Sequence, residues 1–234
     1  LTPYAQALYL SRHMTYRNKN AITEFLTEYD NAPFSVPLRK KWLSYLANKR
    51  YKKTFIEQYV DIGDARLACL NLRWQLQQGA ESSKILPQVT ALWLAPNSQP
   101  RACDPLFNIW KRSGYLTSDV ALQRIVLAAK NKNWPLIPYL KSLLDDDQKY
   151  MAGLWRSVVR RSRNIFKDNL FLFHNANEKQ LFLYGLHKQV FAQPKKVAKL
   201  WQEKSEQFNI SDEEAMELAK KLALSFAIAD REEG

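Results

Sequence analysis

Apolar side chains recur three and four residues apart along almost the whole chain, and this spacing confines it to packed α-helices. Ile22, Phe25, Leu26 and Tyr29 fall at i, i+3, i+4 and i+7, so they share one face of a helix. Leu38, Trp42, Tyr45 and Leu46 repeat the stripe one helix later. Ile85, Val89, Leu92 and Trp93 follow the same arithmetic, as do Val197, Leu200 and Trp201. Polar breaks separate the stripes at Asn18-Lys19-Asn20, Asn48-Lys49-Arg50, Asn131-Lys132-Asn133 and Gln193-Pro194. Pro194 suits the first turn of a helix, where its missing N–H costs nothing. Ser211 and Glu214 have capping-box spacing at the start of the last helix. The pattern predicts about a dozen helices of roughly 10 to 18 residues joined by short turns.

No pair of alternating runs with a hairpin turn occurs, so the predicted class is all-α with no sheet. Helix follows helix with little variety, which suits a stacked superhelix in which each hairpin meets its neighbours. No 34-residue repeat is present, and the superhelix is therefore expected to be irregular. No linker rich in Gly, Ser or Pro divides the chain. Residues 1–234 are read as one α-superhelical domain or a fragment of one. The chain opens at Leu1 without Met, and this predicts a processed or cut polypeptide. No stretch approaches the roughly 18 to 20 apolar residues of a membrane span.

Net charge is +12, which raises nucleic acid as a partner. The excess is uneven: residues 149–204 hold 12 Lys or Arg against 3 Asp or Glu. Arg156, Arg160, Arg161 and Arg163 are its densest group. Spacing of i, i+4 and i+7 predicts Arg156, Arg160 and Arg163 on one helix side, able to act together on an anionic ligand or a neighbouring domain. No recognition helix and no aromatic-studded RNA-binding sheet accompanies them, so nucleic acid is the weaker reading. A solvated basic face toward an acidic partner is the stronger one.

Catalytic patterns are scarce. His13, His174 and His187 stand apart from any second ligand at metal spacing, so no metal is expected. Phosphate loops and the nucleophile elbow are missing, and no cofactor is implied. Asp145-Asp146-Asp147 reads as a solvated helix end. Trp42, Trp93 and Trp201 lie on apolar stripes and are expected in the core. Trp134 and Trp155 are less clearly placed, leaving open a ring that stacks on a sugar. Cys69 and Cys103 are the only cysteines; by spacing alone they are equally well a disulfide or two buried thiols.

The run Ala91-Leu92-Trp93-Leu94, Ser98-Gln99-Pro100, Ala102-Cys103-Asp104, Leu106-Phe107, Trp110 and Ser113-Gly114 resembles the superhelical domain of bacterial soluble lytic murein transglycosylases. Cys69 and Trp74 stand upstream at similar distances. The opening Thr2-Pro3-Tyr4 and the unit Leu127-Ala128-Ala129-Lys130-Asn131 look like the same domain. Word matches run from about residue 65 to 132.

The resemblance implies an irregular right-handed α-superhelix, a Cys69–Cys103 disulfide and a periplasmic location. It implies a parent enzyme that cleaves the MurNAc–GlcNAc bond of peptidoglycan to a 1,6-anhydro-muramyl product. In the family that work belongs to a lysozyme-like domain with a Glu-Ser motif, a Gly-Leu-Met-Gln stretch and an Ala-Tyr-Asn-x-Gly stretch. Here Glu81-Ser82 occurs without the other two, at a predicted helix start where a carboxylate favours the dipole. No catalytic residue is carried over. The expected role is a non-catalytic scaffold that helps position peptidoglycan strands beside linker and catalytic domains. The rival readings are a helical-repeat scaffold for a protein partner unrelated to murein and a basic nucleic-acid binder.

Overall fold

The computed structural model describes residues 2–232, which form α-helices, 3-10 turns and loops without a strand. Contacts divide the chain into two compact units, Leu1–Leu116 and Thr117–Gly234.

The first unit contains α1 (Pro3–Arg12), α2 (Lys19–Glu28), α3 (Ser35–Asn48), α4 (Lys52–Gln58), α5 (Ala65–Gln77), α6 (Ser82–Trp93) and α7 (Asp104–Arg112). The predicted stripes form its core. Ile22, Phe25 and Leu26 from α2 meet Leu38, Trp42 and Leu46 from α3, and Tyr29 and Tyr45 pack at the edge. Burying such a side chain fully contributes about 1.5–3 kcal/mol. The indole N–H groups inside are satisfied: Trp42 donates to Gln58 Oε1 at 2.5 Å, and Trp110 to Thr90 Oγ1 at 2.9 Å. Between α6 and α7 the chain runs irregularly from Leu94 to Pro100 and closes in a 3-10 turn at Arg101–Cys103. Cys103 is joined there to Cys69 of α5, with a Cα–Cα separation of 5.0 Å.

The second unit contains α8 (Ser118–Lys130), α9 (Ile137–Lys141), α10 (Lys149–Arg160), α11 (Glu178–Gln189), α12 (Pro194–Lys204) and α13 (Asp212–Glu232). Lengths stray from the expected window: α9 has 5 residues and α13 has 21. The 3-10 turn before α9 and Pro138 in its first turn set where that short element begins. Ser211 and Glu214 form the reciprocal cap: Glu214 Oε2 accepts from the Ser211 N–H at 2.9 Å, and Ser211 Oγ from the Glu214 N–H at 3.3 Å.

Four helices end in one hydrogen-bonded stop, with the second residue beyond the helix in the left-handed region. Gly79 and Gly114 fill that position after α5 and α7. After α3 and α8 it is taken by Arg50 (φ 59°) and Lys132 (φ 60°). The Tyr51 N–H reaches back to the Leu46 carbonyl at 2.9 Å, and the Asn133 N–H to that of Ala128 at 2.8 Å. The breaks at Asn48-Lys49-Arg50 and Asn131-Lys132-Asn133 are thus helix stops of defined geometry, whereas Asn18-Lys19-Asn20 opens α2.

Candidate anion-binding site

The second unit interrupts its helices once at length, between the end of α10 at Arg160 and the start of α11 at Glu178. Arg161 is extended (φ −143°, ψ 94°), and Ser162–Phe166 form a 3-10 turn. Asn164 stops α10: its Nδ2 donates to the Ser157 carbonyl at 3.1 Å and to Ser157 Oγ at 2.9 Å. The helical register predicted through Arg163 therefore fails, because that residue lies beyond the break.

The turn nonetheless gathers three of the four arginines. Arg160, Arg161 and Arg163 line a cavity of about 710 Å³ with Ser162, Gln189 and Gln193. Arg156 stays on the exposed side of α10 and does not line it. Two glutamines fix the floor: Gln193 Nε2 donates to Gln189 Oε1 at 2.9 Å, and Gln189 Nε2 to Ser162 Oγ at 2.5 Å. None of the three guanidinium groups has a carboxylate partner among the described residues. Planar guanidinium forks so placed suit a carboxylate or phosphate.

Close packing holds the turn in place. A Cβ on Gly185 of α11 would stand 2.5 Å from Ile165 Cδ1, so only glycine lets the buried Ile165 seat there. Beyond the turn, the loop winds around the fully buried Glu178 carboxylate. That group accepts the N–H of Leu172 at 2.9 Å, Phe173 at 3.1 Å and His174 at 3.3 Å, and the Tyr150 hydroxyl. Burial first, and then the Glu178 carboxylate, push the Tyr150 hydroxyl well above its ordinary pKa, so it remains a donor at neutral pH. The arrangement holds Phe173 at φ 59°, a conformation costing a bulky residue on the order of 1–3 kcal/mol.

The other candidates take structural places. Trp155 is fully buried beside Tyr184, ring centroids 5.6 Å apart, and cannot offer its face to a sugar. Trp134 is half-buried in a 3-10 turn, and Trp201 stacks on Phe182 at 6.2 Å. Asp146 pairs with Lys149 on the surface. Glu81 sits just before α6, paired with Lys84 at 2.8 Å. The three histidines lie apart; among the described residues no three His, Cys, Asp or Glu side chains group for a metal ion, and no helix is long and apolar enough to cross a membrane. Glu178 is the residue that sequence reasoning missed. Its role depends on a loop folding back onto it, which no local pattern encodes.

Comparison with known proteins shows what this helical array is similar to. No protein-family model matches the chain. The chain is homologous to the helical superhelix region of soluble lytic murein transglycosylases. It is 26% identical over 168 residues to the enzyme of Escherichia coli K12, which covers 70% of this chain and 26% of that protein. Against the Salmonella typhimurium enzyme the identity is 24% over the same length. The chain thus spans about a quarter of the curated relatives it matches. Among solved structures, lytic transglycosylase Slt from Pseudomonas aeruginosa superposes with a TM-score of 0.73 and 28% identity, covering 97% of this chain and 37% of that one. The 70 kDa soluble lytic transglycosylase of Escherichia coli gives 0.65 at 19% identity, over 95% and 36%, and shares the all-α superhelical fold.

Proposed function

We propose that this chain is the non-catalytic superhelical portion of a periplasmic soluble lytic murein transglycosylase, its two units being consecutive parts of one scaffold domain. The observation that carries this reading is the superposition on the Pseudomonas aeruginosa enzyme over 97% of the chain at 28% identity. The Cys69–Cys103 disulfide supports an oxidising compartment. In the whole protein, a lysozyme-like domain would cleave the MurNAc–GlcNAc bond to the 1,6-anhydro-muramyl product, with a single Glu moving the protons. The role of this chain is to support that domain and to hold murein strands near it. The cavity of Arg160, Arg161 and Arg163 supplies contact with anionic groups.

Incubation with purified murein sacculi tests the reading. The chain is expected to sediment with sacculi and to release no 1,6-anhydro-muropeptides by mass spectrometry. Release by this chain alone overturns the non-catalytic assignment. Absence of sedimentation, together with duplex-DNA binding that weakens steeply with salt, replaces the murein reading with nucleic-acid binding.

A further inference from the structure

A second cavity, of about 560 Å³, is lined by the end of the 3-10 turn, the loop after it and α12. Its charge comes from lysines rather than arginines. Lys167, Lys196 and Lys204 line it, and none of them has a carboxylate partner among the described residues. Lys199 is only 3.8 Å from Glu203, and Asp168 is the other acid in the lining, so four ammonium groups face two carboxylates.

Two of the three unpaired lysines lie against aromatic rings. Lys196 Nζ stands 5.9 Å from the centre of the Phe166 ring, and Lys204 Nζ 5.6 Å from that of Phe173. Phe173 is the residue held at positive φ by the buried Glu178, with Asn169 in the same loop at φ 53°. The loop is therefore bent against its own preference, with a partly exposed aromatic ring at the rim of a positive cavity.

We infer that this cavity binds the carboxylate-bearing peptide stem of murein rather than its glycan backbone; the inference rests on the murein reading above. Ammonium groups donate hydrogen bonds and accept none, so they satisfy carboxylates better than sugar hydroxyls. The phenyl faces receive aliphatic peptide side chains. The volume falls in the range of about 300–1,000 Å³ usual for small ligands, which suits a short peptide and is too small for a docked domain. The bent loop presents Phe173 before the ligand arrives, sparing its ordering on binding.

Isothermal titration of the chain with a disaccharide–tetrapeptide muropeptide, the peptide-free disaccharide and an unrelated acidic tetrapeptide tests the inference. The muropeptide is expected to bind at least tenfold more tightly than either control. The double substitution Lys196→Gln with Lys204→Gln is expected to lower that affinity at least tenfold. Lys196→Arg with Lys204→Arg should restore most of it, and melting temperature should be unchanged in both variants. Equal binding of the peptide-free disaccharide, equal binding of the unrelated peptide, or an unaffected glutamine variant overturns the inference. Sedimentation with sacculi in parallel separates the two readings. Intact sedimentation without muropeptide binding defeats this site alone, whereas loss of both in the unsubstituted chain defeats the murein reading as well.

Discussion

Each unit contains one long irregular connector, and the two are secured by opposite means. In the first unit, residues 94–103 carry a single charge, Arg101, and end on the covalent link from Cys103 to Cys69. In the second, residues 161–177 include Arg161, Arg163, Lys167 and Asp168, and are wrapped around the Glu178 carboxylate. A covalent tie satisfies no polar group and asks for no charge nearby. The buried Glu178 carboxylate satisfies several, drawing backbone N–H groups inward while basic side chains remain at the surface. Both basic cavities of the second unit border that polar connector. The comparison teaches that irregular backbone becomes a ligand surface where hydrogen bonds, rather than a cross-link, secure it.

The sharpest way to break this contrast is to cut each tie. Replacing both cysteines, Cys69→Ala with Cys103→Ala, is expected to cost about 4 kcal/mol by denaturant unfolding, since the link closes a loop across 34 positions. The loss should leave the second-unit cavities intact. Glu178→Ala is expected to cost about 3 kcal/mol, because it strands three backbone donors and the Tyr150 hydroxyl. Hydrogen exchange at Leu172 and Phe173 should accelerate in that variant, and unaltered exchange would refute the organising role of the carboxylate. Gly185→Ala, which drives a methyl into Ile165, is expected to cost about 2 kcal/mol and to disturb the arginine cavity. At the small end, Arg50→Gly in the first unit and Lys132→Gly in the second should each stabilise by roughly 0.5–1 kcal/mol. Their near-equality would show that the units differ in their connectors and not in their helix stops.

Acid sharpens the comparison further. His187 lies in the second unit with its pKa lowered, by burial first and then by Lys221, whose Nζ lies 3.3 Å from Nδ1; Glu217 opposes this weakly. A depressed folded value means that the unfolded chain takes up the proton first. Stability is therefore full above the unfolded value near 6.5 and falls as pH drops toward the lower folded value. His187→Gln should flatten the stability profile below about pH 6.5, with the second unit's amides showing the change. An unchanged slope would exclude His187 as its source.

Much of the fold was legible because it rests on local rules. The stripes through Ile22, Trp42 and Val89, the proline at the head of α12 and the Ser211–Glu214 cap all depend on residues within one or two turns. The site was legible only in part. Residue spacing extended α10 through Arg163, whereas Asn164 folds back onto Ser157 and ends the helix at Arg160. The arginines still converge, by means of a turn and not a helix face. Glu178 read as one acid among many bases. Its burial, and the bent loop carrying Phe173, come from tertiary contacts that periodicity does not encode.

The sulfur atoms of the first unit carry one more consequence. Cys69 and Cys103 have no solvent exposure, so a reducing agent can attack only while the surrounding helices are apart. Thiol release then becomes a clock: at saturating reductant its rate equals the frequency with which the packing that covers the bond opens. The bond that fastens this connector also reports, one event at a time, how often its surroundings let solvent in.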